Sequence, residues 1–159
     1  MRKPIIAGNW KMNTTLEEGL QLATSIRNKT EKTTDLDIIL CPPFTHLHPV
    51  SQCLENSAIQ LGGQTLHMQE KGAYTGDISG TMLRQVGCAH VLIGHSEQRQ
   101  YHQETNHSIR EKYIAALKAS LIPIVCVGES QEERESGQTF EVLETQLREG
   151  FQGIENQIQ

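Results

Sequence analysis

Five short runs of apolar, largely β-branched residues recur along this chain, and segments of helical period separate them. They are Ile5–Trp10, Leu36–Cys41, Ala58–Gly62, His90–Gly94 and Ile122–Val127. Most are apolar on consecutive positions and do not alternate, which marks strands covered on both faces and hence a parallel sheet flanked by helices. Five units in 159 residues give about 32 residues each. That is the unit length of an eight-fold β/α barrel, whose usual size is about 250 residues. A five-stranded doubly wound sheet competes with it. Such a sheet normally carries a glycine-rich phosphate turn after its first strand. Here that strand runs out into Gly8-Asn9-Trp10-Lys11, with neither G-x-G-x-x-G nor a Walker lysine. The spacing favours an incomplete barrel of about five parallel β/α units, in one domain over residues 1–159.

The intervening segments carry helix signals. Thr15-Leu16-Glu17-Glu18 and Ser130-Gln131-Glu132-Glu133 are capping boxes, in which a hydroxyl and a carboxylate three positions on satisfy each other's backbone amides. Leu16, Leu20, Ala23 and Ile26 follow the first box on one face; Phe140, Leu143, Leu147 and Phe151 follow the second. Ile109, Tyr113 and Leu117 mark a third stripe, and Met82, Leu83 and Val86 a short helix. Pro49 is expected in the first turn of another short helix, where its missing N–H is not needed. Residues 64–79 have no period, and glycines punctuate them as a long loop.

Composition narrows the function classes. Fourteen basic against nineteen acidic residues leave a net charge of −5, and no basic patch offers itself to nucleic acid. No apolar run reaches the roughly 20 residues of a membrane helix, and the N-terminus has no signal-peptide core, so the chain reads as soluble and cytoplasmic. Cys41, Cys53, Cys88 and Cys126 form no C-x-x-C pair and read as reduced packing residues. Three glycosylation triplets, beginning at Asn13, Asn28 and Asn106, carry no weight without an export signal. His46 and His48 read as surface residues; His67, His102 and His107 show no ligand pattern.

In parallel β/α folds the reactive side chains gather at the carboxyl ends of the strands. That rule selects Asn9 and Lys11 after the first strand, His95 and Glu97 after the fourth, and Glu129 after the fifth. Lys11 places a fixed positive charge where a phosphate or an oxyanion would lie, although a strand-end lysine is commonly a solvated charge. His95 opens a helix start, where the dipole disfavours imidazolium, so a neutral ring can donate to a carbonyl; a capping or core histidine is the competing reading. Cys126 ends the fifth strand and reads as packing before nucleophile. No G-x-S-x-G elbow is present.

Four stretches resemble one family. Ala7–Asn13, Gly72–Asp77, Leu92–Glu97 and Pro123–Glu129 are similar, in order and spacing, to motifs of triosephosphate isomerase, and the likeness spans nearly all 159 residues. The resemblance implies that Asn9 and Lys11 contact substrate and that His95 is the electrophile that polarises its carbonyl. It gives Glu97 and Cys126 supporting roles. Thr75 matches the tip of a loop by which one subunit completes its neighbour's site. Gln98 departs from the family's usual arginine. The implied activity is the glycolytic interconversion of dihydroxyacetone phosphate and glyceraldehyde 3-phosphate, with no metal or organic cofactor.

The resemblance also implies three further β/α units beyond Gln159, carrying the catalytic glutamate, the closing lid and the later phosphate loops. Weak or absent turnover by this chain alone is therefore expected, the alternative being a non-catalytic, self-associating fragment or scaffold. Five strands cannot close an eight-stranded barrel, so the first and fifth should keep unpaired edges and the inner face an apolar patch. Homo-oligomers are expected.

Overall fold

The computed structural model describes residues 3–154; the remaining residues of the expected domain, at either end, lie outside it. Five strands form one parallel sheet in sequence order: β1 (Ile5–Asn9), β2 (Asp37–Cys41), β3 (Gln60–Gly63), β4 (His90–Ile93) and β5 (Ile122–Val125). The result is a half-barrel with β1 and β5 at its edges. Seven helices connect and cover it: α1 (Leu16–Thr30), α2 (Phe44–Cys53), α3 (Gly80–Gln85), α4 (Ser96–Tyr101), α5 (Asn106–Lys118), α6 (Gln131–Glu135) and α7 (Thr139–Gly150).

Side chains alternate across the sheet as strand geometry demands. Leu40, Leu61, Val91 and Ile93 face the helices and join Ala23, Leu47, Val50, Leu83, Ile109 and Ala116 in the main core. Ile39, Cys41 and Leu92 face the other way, with Ile124 packed against them. The centre of this inner face is not the open apolar patch expected of it. Ile39 is 0% exposed because curvature brings the central side chains onto one another. Exposure falls instead at the edges, on Ile5 (57%), Ile6 (58%) and Ile122 (52%).

Three local expectations are corrected. The second capping box does not lead into the Phe140 stripe: α6 is a separate five-residue helix, and Gly137, at φ 76°, turns the chain before α7 begins. Pro49 lies well inside α2, because the helix starts early, directly after Pro42-Pro43. Its ring leaves the Thr45 carbonyl without a helical donor, at an exposed position that water reaches. His46 is buried, its Nδ1 on the Thr45 hydroxyl and its Nε2 3.2 Å from the Thr14 carbonyl, whereas His48 is exposed. Their opposite faces hold one inside and one outside.

The capping at Thr15 and Ser130 is as the sequence indicates. Each hydroxyl accepts from the amide three residues on, and each glutamate returns the bond at 2.7 Å. Residues 64–79 form a self-supporting loop. The His67 amide donates to the Ile78 carbonyl at 2.7 Å, and the His67 ring packs on Tyr74 with centroids 4.2 Å apart.

Candidate active-site rim

The carboxyl ends of β1 and β4 bring three polar side chains onto one another. Asn9 closes β1, and its Oδ1 accepts from the Lys11 amide at 2.9 Å, bending the chain so that Lys11 turns back over the strand end. The Lys11 Nζ then lies 2.9 Å from Glu97 Oε1. His95 Nδ1 lies 3.5 Å from the other oxygen of the same carboxylate. Lys11 and His95, which are 84 positions apart in sequence, thus share one carboxylate.

The sequence positions His95 in two ways. Gly94, at φ 72°, permits the turn out of β4; a Cβ there would meet Ile109 Cδ1 at 2.8 Å. His95 is then the N-cap of α4, and its Nδ1 accepts the Glu97 amide at 3.3 Å. When Nδ1 accepts that amide, the ring's proton lies on Nε2, as a donor. The Glu97 carboxyl is held below the usual carboxylate range, first by its hydrogen bond from Lys11, with desolvation opposing and the charges of Lys11 and His95 adding to the pull. Lys11 and Glu97 are each about half exposed, so their pairing organises the rim more than it stabilises the fold.

Other groups support this rim. Arg99 Nε donates to the Gly94 carbonyl at 3.0 Å and Nη1 to Asn106 Oδ1 at 2.8 Å, while Nη2 reaches the Cys126 carbonyl at 3.5 Å. It clamps the end of β4 to that of β5. Cys126 is half-buried; burial raises its thiol pKa, with Arg99 opposing. Cys41 is fully buried and pushed up to about 12 by desolvation, as is Cys88. Glu129 stands apart from the shared carboxylate: its Oε1 accepts from the Thr139 hydroxyl at 3.4 Å and lies 3.8 Å from Arg134 Nε. Thr75 is exposed in the loop of residues 64–79, and no hydrogen bond among the described residues joins it to the rim. Two supporting groups, Gln64 and Arg99, were not singled out from the sequence. Gln64 directly follows β3, a strand end to which the rule was not extended. No cluster of three or more metal-ligating side chains occurs among the described residues.

A parallel half-barrel with its polar side chains gathered at the carboxyl rim is the amino-terminal part of a (β/α)8-barrel architecture. The triosephosphate isomerase family model matches residues 4–159, and the chain belongs to that family. It is 54% identical over 154 residues to triosephosphate isomerase of Dehalococcoides mccartyi, and 49% identical over 155 residues to that of Moorella thermoacetica. These alignments cover 97% and 98% of this chain but 60% and 62% of the relatives. A crystal structure of triosephosphate isomerase from Bartonella henselae superposes with a TM-score of 0.85 at 41% identity, over 94% of this chain and 62% of that one. The chain therefore spans about 60% of the length of the curated relatives it matches.

Proposed function

We propose that this rim binds triose phosphates, and that the chain by itself interconverts dihydroxyacetone phosphate and glyceraldehyde 3-phosphate weakly or not at all. One observation carries the reading: Lys11 Nζ and the His95 ring both lie at Glu97, with His95 Nδ1 turned to the Glu97 amide. In the isomerisation a base removes the proton alpha to the carbonyl, the carbonyl oxygen takes up negative charge as an enediolate, and the neighbouring carbon is reprotonated. An ammonium and an imidazole N–H fixed at that oxygen stabilise the charge as it develops. Asn9 shapes the Lys11 turn. Pairing such a neutral histidine with a glutamate base is the family's known arrangement. That glutamate, the lid and the later phosphate loops belong to the part of the relatives that these 159 residues do not span. Glu97 is engaged by Lys11, and Glu129 is held by Thr139 and Arg134. Loss of a positioned base forfeits about 10²–10⁴-fold in rate. No cofactor enters the proposed chemistry, and the setting is cytoplasmic glycolysis.

A second reading, a self-associating chain without catalysis, is favoured by the exposed edge residues Ile5, Ile6 and Ile122. The two are separated by titrating dihydroxyacetone phosphate into isotopically labelled protein. Saturable shifts at Asn9, Lys11 and His95, lost in Lys11→Met, support binding. Unmoved rim signals at millimolar ligand would contradict it.

A further inference from the structure

Lys11 carries the rim's ammonium on a backbone bent into the left-handed region, at φ 55°. Residues with a Cβ rarely adopt that conformation, and it persists only where the surroundings hold it. Two of the holding contacts are local: Asn9 Oδ1 accepts the Lys11 amide at 2.9 Å, and Asn13 Nδ2 donates to the Trp10 carbonyl at 2.7 Å. The third comes from another strand. Gln64, which follows β3, donates through Nε2 to the Lys11 carbonyl at 2.8 Å and to the Cys41 carbonyl at 2.9 Å. The Cys41 carbonyl also accepts the Trp10 amide at 3.0 Å, so one glutamine joins the ends of β1, β2 and β3 at the base of the Lys11 turn.

The chemistry suits this side chain. A primary amide offers two N–H donors, and here two carbonyls take them. A glutamate would set a carboxylate against two carbonyl oxygens. An apolar residue of the same length would leave both carbonyls and the strained turn unheld. Gln64 touches neither Glu97 nor His95 through any hydrogen bond among the described residues. Its effect on the rim passes through Lys11.

We propose that Gln64 is a positioning residue: by holding the Lys11 carbonyl in the left-handed turn, it fixes the Lys11 ammonium on Glu97 and so sets where positive charge meets a triose phosphate. Its bearing on substrate rests on the reading of Lys11 as the anion-facing group. The positioning itself does not.

The titration of Glu97 serves as the reporter, because its Lys11 hydrogen bond is the leading cause of its lowered pKa. Carboxyl carbon NMR on the 159-residue chain would follow Glu97 in the unaltered protein, in Gln64→Met and in Lys11→Met. Lys11→Met sets the full size of the upward shift. Gln64→Met is expected to produce a large part of that shift while circular dichroism shows an intact fold, a result that loss of stability alone would not give. A folded Gln64→Met chain with Glu97 unmoved overturns the proposal. So does a Lys11→Met chain with Glu97 unmoved, since Lys11 would then not engage it. If Gln64→Met does not fold, the unaltered chain still decides. The side-chain amide protons of Gln64 should exchange several-fold more slowly than those of exposed Gln52, and equal rates overturn the proposal. None of these readouts needs substrate, so a failure of triose phosphate binding is seen separately.

Discussion

His90 is buried on the inner face of the sheet, 5% exposed, with Nε2 on Gln60 Oε1 and Nδ1 among the buried atoms that lack a hydrogen-bond partner. Burial lowers its pKa from the ordinary histidine value, and Asp37 opposes that shift. As pH falls through that ordinary value, about 6.5, the unfolded chain binds more protons than the folded one. Stability is then full above that value and declines below it. The urea midpoint should drop between about pH 7.5 and about pH 5.5, and His90→Gln should flatten that dependence; an equal slope in the variant would show that other groups carry it. Thiol chemistry gives a second check. Cys41 and Cys88 are buried and pushed up to about 12, so neither should react with an alkylating reagent near neutral pH until the chain unfolds. Mass-spectrometric mapping of the labelled peptides reads this directly, and rapid native labelling at either site would count against the packing described.

Close approach of elements accounts for the intolerance expected at β3. A Cβ on Gly62 would lie 2.7 Å from Cys41 Sγ and 3.3 Å from Ile39 Cγ2, inside the tightest part of the inner face. Gly62→Ala should cost about 1–3 kcal/mol by overpacking, measured by denaturant unfolding. At the start of α1, removing the cap with Thr15→Ala should cost about 1 kcal/mol. Elements were legible wherever one local interaction decides them. Consecutive apolar residues announce the five strands, and Thr15 and Ser130 announce helix starts. Boundaries set by partners were less so. Ala58 and Ile59 are apolar, yet β3 begins at Gln60, where pairing with Ile39 starts. His46 and His48 look alike in sequence, and only the packing of α1 against α2 puts one inside. The break at Gly137 hides because a capping box and an apolar stripe fit one long helix as well as two short ones. At the candidate site, strand-end position selects Asn9, Lys11 and His95. Gln64 also follows a strand, but its hold on two backbone carbonyls is a tertiary contact that no local pattern records.

At the scale of the whole molecule, β1 and β5 have no outer strand partner among the described residues, their apolar side chains are open at Ile5, Ile6 and Ile122, and Phe140 on α7 is 85% exposed. Unpaired parallel edges of this kind are templates for association. The 159-residue chain should therefore self-associate at micromolar concentration, and Ile5→Lys with Ile122→Lys should shift it toward monomer in light scattering. A compact monomer from the unaltered chain would show that these edges are covered. The central claim is the proposed chemistry: if Lys11 and His95 serve to stabilise an enediolate, turnover needs a base from outside these residues. A coupled isomerase assay on rigorously purified chain, run beside His95→Ala, tests it most directly. The expected result is a rate at least about 10²–10⁴-fold below that of an intact family member. A rate near that of the intact enzyme, abolished by His95→Ala, would mean that a carboxylate within this chain serves as the base and would contradict the account.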